Sequence, residues 1–494
     1  MKTQKSLVSV FIVLVCFFCQ MVFGAAICVP WQPSNPSIAH YTYNGREVTL
    51  KGIARGADIV EYRWDFGDGG GTGWASISDP YDLGVKHTYN GTVGQLYIAK
   101  LYVRNSSGTE YTDEYPVRIY DSSDLSIDSH LDVRINIAVD EALWYLHTNM
   151  NRGNYNAGTP GYGQPYGSWS VGGSDGRDFA SVGAAVDAFQ LHGSKVNMDT
   201  NSDPYVETVQ RGLNYLLFNS YAYTITNQTH GNPDTNGNGI GIVTNRSSYI
   251  RDSRQTYIGG LSMVTLASSG APNRIAELGR TNIYGRTYAE IVQDMVDFFA
   301  WGQTDSGYRR GGWRYYRNSG DGDMSATQWP ILGMQAAKEN MGSTIPAFVR
   351  NELAFFLEYT QYKHKNNYHG GFGYQYNSQY INAAKTAAGI ICHYFAGTPV
   401  TDPKIQSAMG YLYRHWNDSG GGWTDQALLG NSYGMYAVMK AMRIPEPDIL
   451  KIKEYDYTNE IQTGNEFDWY YETSSEPREG LAHYLVRGQQ ADGS

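Results

Sequence analysis

Two carboxylates two residues apart, Asp321 and Asp323, stand in the stretch GGWRYYRNSGDGDMSATQW of residues 311–329. Such a pair could do general acid chemistry, because a carboxyl that is buried or set beside a like charge keeps its proton near neutral pH and then has one to give. The same residues could instead be structural. Asp323 precedes a helix-forming run that begins at Met324, and an ionised aspartate at a helix N-cap accepts backbone N–H bonds, which would lower its pKa. Pro330, inside that run, has no N–H to give and predicts a kink beside the pair.

A second constellation points to a cation. Residues 234–245 read DTNGNGIGIVTN and put Asp234, Asn236 and Asn238 at loop positions 1, 3 and 5 with Gly239 at position 6, as calcium loops do. Position 12 is Asn245, so the bidentate carboxylate is missing and the same residues serve as well for a turn. Calcium is the one cofactor the sequence offers. His364, His369, His393 and His483 lack metal spacing. Beyond the first apolar segment the cysteines are Cys28 and Cys392, too few for a disulfide framework or a cysteine-based zinc site.

The elements that must position these residues recur. Glycine-turn markers stand at Gly167-Ser-Trp169, Asn238-Gly-Ile240, Gly311-Gly-Trp313, Gly370-Gly-Phe372, Gly421-Gly-Trp423 and Asp492-Gly-Ser494. An amphipathic helix is expected before each marker, opened at Asp203-Pro204 and Asp402-Pro403 by an N-cap followed by proline. After a marker comes a second helix rich in small residues, and Gly193, Gly270, Gly342 and Gly397 supply C-terminal stops. Small side chains permit close approach, so the second helices are placed in a crowded inner layer and the first outside. Six such hairpins could close into a ring.

These repeats resemble those of the terpenoid cyclase and protein prenyltransferase superfamily, in particular the squalene-cyclase type, over residues 129–494. The resemblance implies an all-α (α/α)6 toroid. Its usual repeat ends in tryptophan after Asp-Gly-Ser, so the stop at Ser494 implies truncation in the last hairpin. In the class II cyclases a D-x-D-D-T-A motif protonates the substrate through its second aspartate. Asp321 and Asp323 match the first two aspartates, Met324 replaces the third, and Ser325-Ala326 resemble the final pair. Zinc prenyltransferases need D-x-C and a later histidine; here Ile390 precedes Cys392, and after Asp468 Tyr471 stands where the histidine should be. Inner-helix starts in the related enzymes ring the mouth of a central cavity. Their counterparts here are Asp178, Arg251, Asp252, Arg254, Asp323, Asn382, Lys385 and Asp425, and with Asp468 they are the candidate ligand-binding set. Mixed charge and many tyrosines at such a mouth suit a polar ligand, a glycan end or a peptide better than a bare polyprene.

Composition sets the frame. The chain has 494 residues, 41% apolar and 17% charged, which supports globular cores; a net charge of −10 without a basic run excludes a nucleic-acid partner. The start, Met1-Lys-Thr-Gln-Lys5 followed by an apolar stretch and Gly24-Ala25-Ala26, fits a signal peptide over residues 1–24, hence a secreted, cell-surface or periplasmic protein with no membrane span after cleavage. Residues 28–121 alternate as short strands, and YRWDFGDGG at 62–70 with His87-Thr-Tyr89 resembles a PKD domain, which implies a β-sandwich spacer or adhesion unit. Residues 122–128 read as a linker. The expectation is a multidomain protein whose ring binds a small-molecule, glycan, peptide, protein or lipid-like ligand and need not catalyse. An enzyme of the cyclase-like or polysaccharide-acting kind, or a purely architectural spacer, are the alternatives.

Overall fold

The computed structural model describes residues 24–121, 130–170, 177–249, 251–419, 427–473 and 477–494. The signal-peptide segment before Gly24, the expected linker, the marker at Gly421-Gly-Trp423 and Asp425 therefore lie outside the described residues.

The N-terminal region is rich in sheet. Strands β1 (Ala25–Cys28), β2 (His40–Tyr43), β3 (Glu47–Leu50), β4 (Gly52–Arg55), β5 (Ile59–Asp65), β6 (Ala75–Ser76), β7 (Val85–Thr88), β8 (Leu96–Asn105) and β9 (Glu110–Tyr120) form a five-stranded sheet of order β2-β9-β8-β5-β6 and two ladders, β1-β4 and β3-β7. The period-2 pattern of β8 and β9 buries Ala99, Leu101, Val103, Tyr115 and Val117 on one face, against Val48, Leu50 and Trp64. Trp64 Nε1 donates to the Leu83 carbonyl and Tyr89 Oη to that of Phe66, so neither polar group is buried unpaired. Gly67 turns there with φ 76°, where a Cβ would lie 2.4 Å from the Ile98 carbonyl oxygen.

Eleven helices follow among the described residues. They are α1 (Leu131–Thr148), α2 (Arg177–His192), α3 (Pro204–Phe218), α4 (Gln255–Ser268), α5 (Tyr288–Gly302), α6 (Met324–Met341), α7 (Ala347–Thr360), α8 (Ala383–Phe395), α9 (Pro403–His415), α10 (Ser432–Arg443) and α11 (Leu481–Gly488). Short hairpins interrupt them: β10 (Asn151–Asn154) with β11 (Pro165–Ser168), β12 (Ser220–Thr224) with β13 (Ile240–Thr244), and β14 (Lys451–Asp456) with β15 (Ile461–Asp468).

The even-numbered helices pack one on the next from α2 to α10 and form the inner layer. Their glycines make this possible. A Cβ on Gly260 of α4 would fall 2.6 Å from the Trp329 backbone of α6, and one on Gly333 would fall 3.0 Å from the Gly260 carbonyl oxygen. Gly193, Gly270, Gly342 and Gly397 all have positive φ where the inner helices stop. The marker aromatics join the layers. Trp169 Nε1 donates to Leu146 O near the end of α1, and Trp313 Nε1 donates to Phe299 O near the end of α5. On the inner side Trp313 N and Phe372 N donate to Thr327 and Thr386, one turn into α6 and α8.

Three of the corners also dock on the next outer helix. At the end of α5 the amide of Gln303 donates to the carbonyls of Gly311 and of Val349 on α7; at the end of α7 that of Gln361 donates to Gly370 and to Lys404 on α9. Gly311 and Gly370 have φ of 87° and 84°, and a Cβ there would sit 1.9 Å from Glu352 O and 2.1 Å from Ser407 O. At the end of α11, Gln489 donates to Gly493 O and to Ala138 O of α1, and Gly493 lies against Glu141 O. The contacted pairs 349 and 352, 404 and 407, 138 and 141 share one spacing. Thus α11 meets α1 as α5 meets α7, and the outer layer closes into a ring.

The sheet-rich region is fixed to this ring. Ile27, Val29 and Ile53 share a core with Leu143 and Trp144 of α1. Arg55 pairs with Glu207 of α3 at 3.0 Å, and Tyr81 hydroxyl donates to the same carboxylate.

Candidate functional site

Asp323 is the N-cap of α6. Its Oδ1 accepts Ala326 N at 2.8 Å and Ser325 Oγ at 2.5 Å, and its own N–H is bonded to Trp313 O. Its Oδ2 has no hydrogen-bond partner and faces Arg314 Nη1 at 3.5 Å, with the side chain wholly buried. Burial pushes the carboxyl up to about 6 against the opposing pull of Ser325, Ala326 N–H and Arg314. The cap read from the sequence is present. Its expected lowering of the pKa is reversed, because desolvation of the wholly buried carboxyl outweighs the capping bonds.

Asp321 is half-buried and engaged. Oδ1 pairs with Arg309 at 2.6 Å and Oδ2 accepts Gln375 Nε2 at 2.7 Å, with Arg314 at 3.7 Å. Arg314 thus stands between the two aspartates, and its guanidinium lies over the rings of Tyr315 and Tyr374.

Beside this buried pair a pocket of about 550 Å³ opens at the N-terminal ends of α4, α6, α8 and α10. Arg254, Asn382 and Lys385 from the expected set line it, with Asn431, Ser325 and the four tyrosines Tyr257, Tyr315, Tyr374 and Tyr433. Asn382 and Asn431 cap α8 and α10 as Asp323 caps α6. Hydroxyls are linked round the wall: Tyr315 to Tyr374 at 2.7 Å, Tyr433 to the Ser325 carbonyl at 3.2 Å, and Tyr257 to Ser325 Oγ at 3.0 Å. Through Ser325 the pocket surface is joined to Asp323.

Among the described residues, the rest of the expected set does not line this pocket. Asp252 is buried, accepts Arg254 N and pairs with Arg246 at 3.0 Å. Arg251 lies over the Tyr316 ring, and Asp178 sits in the first turn of α2. Asp468 ends β15 and accepts the N–H groups of Tyr470 and Tyr471. The inner helix α10 begins at Ser432, after the cap Asn431, and Asp425 lies outside the described residues. Tyrosines are expected at this mouth by type, but which of them line it is what sequence reasoning missed. A register count from the caps would have placed Tyr433 two residues after Asn431, as Ser325 stands two after Asp323.

The 234–245 loop docks on α5. Asp234 accepts the N–H groups of Gly237, Asn238 and Gly239, so its carboxylate is spent on the loop's own backbone. Asn236 and Asn238 donate to Asp294, which also pairs with Arg286 at 2.6 Å. Among the described residues no group of three or more His, Cys, Asp or Glu is placed to hold a metal. Cys392 is buried, and burial pushes its thiol well up.

Comparison with known proteins adds little. No family model matches the chain, and no curated protein does. Among solved structures the chain is similar to a family 76 glycoside hydrolase from a bovine Bacteroides thetaiotaomicron strain. The match covers 85% of this chain and 86% of that one, at 10% identity and a TM-score of 0.39. A likeness that distant leaves the chemistry to be read from this chain's own residues. Among the described residues no helix is long and apolar enough to cross a membrane.

Proposed function

We propose that the helical ring binds a polar ligand that carries an acidic group, an acidic glycan being the best fit, in the pocket at the starts of α4, α6, α8 and α10. The pocket's lining carries this reading. Arg254 and Lys385 bring positive charge, Asn382 and Asn431 bring amides, and four tyrosines bring flat faces tipped with hydroxyls. The converging helix N-termini favour the same sign of ligand. A polyprene has no polar group to offer the cations and amides of this lining, which counts against the cyclase-type substrate. An open pocket of about 550 Å³ weighs against a purely architectural ring.

Calorimetric titration with oligouronates, sulfated oligosaccharides and neutral oligosaccharides of equal length tests this. Acidic chains are expected to bind, more weakly as salt rises, and Arg254→Ala or Lys385→Ala is expected to weaken binding about tenfold. Equal binding of neutral and acidic chains would sink the reading.

A second reading, in which the ring is an enzyme, rests on the buried Oδ2 of Asp323. A carboxyl near pKa 6, linked to the pocket through Ser325, is suited to giving or taking a proton at neutral pH. Product analysis on any glycan that binds, with Asp323→Asn as control, separates the two readings: turnover abolished by that change supports catalysis.

The arrangement of the chain is part of the proposal. Residues 1–24 are read as a signal peptide, 28–121 as a PKD-like unit and 129–494 as an α/α toroid of the squalene-cyclase repeat type. The basic, apolar and small-residue order of the N-terminus, the Trp64–Gly67 turn and the recurring Gly-aromatic corners support it. N-terminal sequencing of the protein recovered outside the cell is expected to begin near Gly24; a chain that retains Met1 in the cytoplasm would refute export.

A further inference from the structure

Lys51 lies between β3 and β4 with its side chain wholly buried. Nζ is 2.5 Å from Asp140 Oδ2 and 2.8 Å from Glu141 Oε1, both on α1, and 3.3 Å from the Thr49 carbonyl oxygen. Asp140 is buried as well, with His40 Nδ1 at 3.6 Å. His40 stacks on Tyr115, whose hydroxyl is 2.8 Å from the same nitrogen. Glu141 is different. It is held by Thr49 Oγ1 at 3.2 Å and reaches partly into solvent.

An amine, a carboxyl and a second carboxylate are thus held in contact in a pocket walled by rings. Burial alone pushes Lys51 down and Asp140 up, toward the neutral forms; their mutual attraction overrides it and leaves Lys51 raised and Asp140 lowered. A buried ion pair of this kind is costly to keep and gains little.

We propose that Lys51 and Asp140 condense to an isopeptide bond that joins the sheet-rich region covalently to α1, with Glu141 as proton shuttle. The ammonium first passes one proton across the contact to Asp140, leaving an amine and a carboxylic acid. The Nζ lone pair attacks Asp140 Cγ, forming the N–C bond and a tetrahedral centre. Glu141 takes a second proton from nitrogen and delivers it to a hydroxyl on Cγ. The C–O bond breaks and water leaves along Glu141, whose side chain is partly exposed. The sum is an ammonium and a carboxylate giving a secondary amide and one water; nothing is oxidised or reduced, and Glu141 returns to its starting state. The bond would replace two buried charges by one neutral amide. It would also lock the helix on which α11 closes the ring.

Mass spectrometry of the purified full chain under denaturing and reducing conditions tests this. The expected intact mass lies about 18 Da below that of the sequence counted from the chain's observed N-terminus, the loss of one water. Proteolysis is expected to yield one branched peptide carrying both Lys51 and Asp140. Lys51→Met should restore the full mass, and Asp140→Asn should lose about 17 Da, as ammonia, in place of water. Full sequence mass in the wild-type chain, with Lys51 and Asp140 recovered on separate peptides, would leave a plain ion pair and overturn the proposal. So would a loss that persists in Lys51→Met. The wild-type measurement decides even where a variant fails to fold.

Discussion

Gly493 stands against the carbonyl of Glu141, 2.5 Å from where a Cβ would begin, and this contact makes the last outer helix the neighbour of the first. Gly311 makes the same contact with Glu352 and leaves still less room, 1.9 Å, at φ 87°. Gly311→Ala therefore has to part the corner from α7 as well as hold an L-residue in a left-handed conformation. The expected loss is about 3 kcal/mol in urea unfolding. Gly342→Ala is the control, because its φ is also positive but nothing lies within 4 Å; it should lose only about 1 kcal/mol. Equal losses would mean that corner packing does not hold the ring.

The marker tryptophan can be divided in the same way. Trp313 is almost wholly buried and donates Nε1–H to Phe299 O at 2.9 Å. Trp313→Phe keeps most of the ring and orphans that carbonyl, for about 1–3 kcal/mol. Trp313→Ala also leaves a cavity and should cost about 3–5 kcal/mol. Denaturant midpoints of the two variants give both terms. A Phe variant as stable as the wild type would show that the hydrogen bond is dispensable.

The features that could be read in advance are those set by local chemistry. Asp203 and Asp402 cap the outer helices α3 and α9, with Pro204 and Pro403 at their first positions, and Asp323 and Asn382 cap inner ones. Caps and glycine stops depend on a few neighbouring residues, so their signal survives in the sequence. The start of α10 is less legible, because asparagine and aspartate cap equally well by type and the cap observed is Asn431. The pocket's tyrosines were not legible for a related reason. With 41 tyrosines in the chain, type alone says nothing about which of them face a cavity. The charge state of Asp323 failed differently, since capping bonds are local but desolvation is set by everything packed around the carboxyl.

Ser325 is the residue through which the pocket reaches that carboxyl. Its hydroxyl donates to Asp323 Oδ1 at 2.5 Å, a bond that favours the ionised form. Ser325→Ala should therefore raise the Asp323 pKa above about 6, readable from the carboxyl carbon shift in an NMR titration. The backbone cap from Ala326 N remains, so the helix start should survive. An unchanged or lower pKa would detach Asp323 from the pocket surface.

The same group ties stability to pH. In the unfolded chain Asp323 titrates near 3.8, and in the fold near 6, so between these values the folded state holds the extra proton. Stability contributed by this group is therefore fully present below pH 3.8 and is lost as pH rises through about 6, by about 3 kcal/mol. Asp203 and Asp297, raised to about 6 and about 7, add slopes of the same sign, so the wild-type profile alone does not isolate Asp323. Asp323→Asn does isolate it. Asparagine caps a helix as well as aspartate does but has no charge to desolvate. The variant should match the wild type near pH 4 and exceed it by about 1–3 kcal/mol at pH 7, the lower figure applying if Arg314 loses a useful counter-charge. Urea unfolding of both chains at the two pH values checks this. A constant difference between them would mean that Asp323 titrates in the fold as it does in the unfolded chain, and would remove the ground for giving it any part in proton transfer.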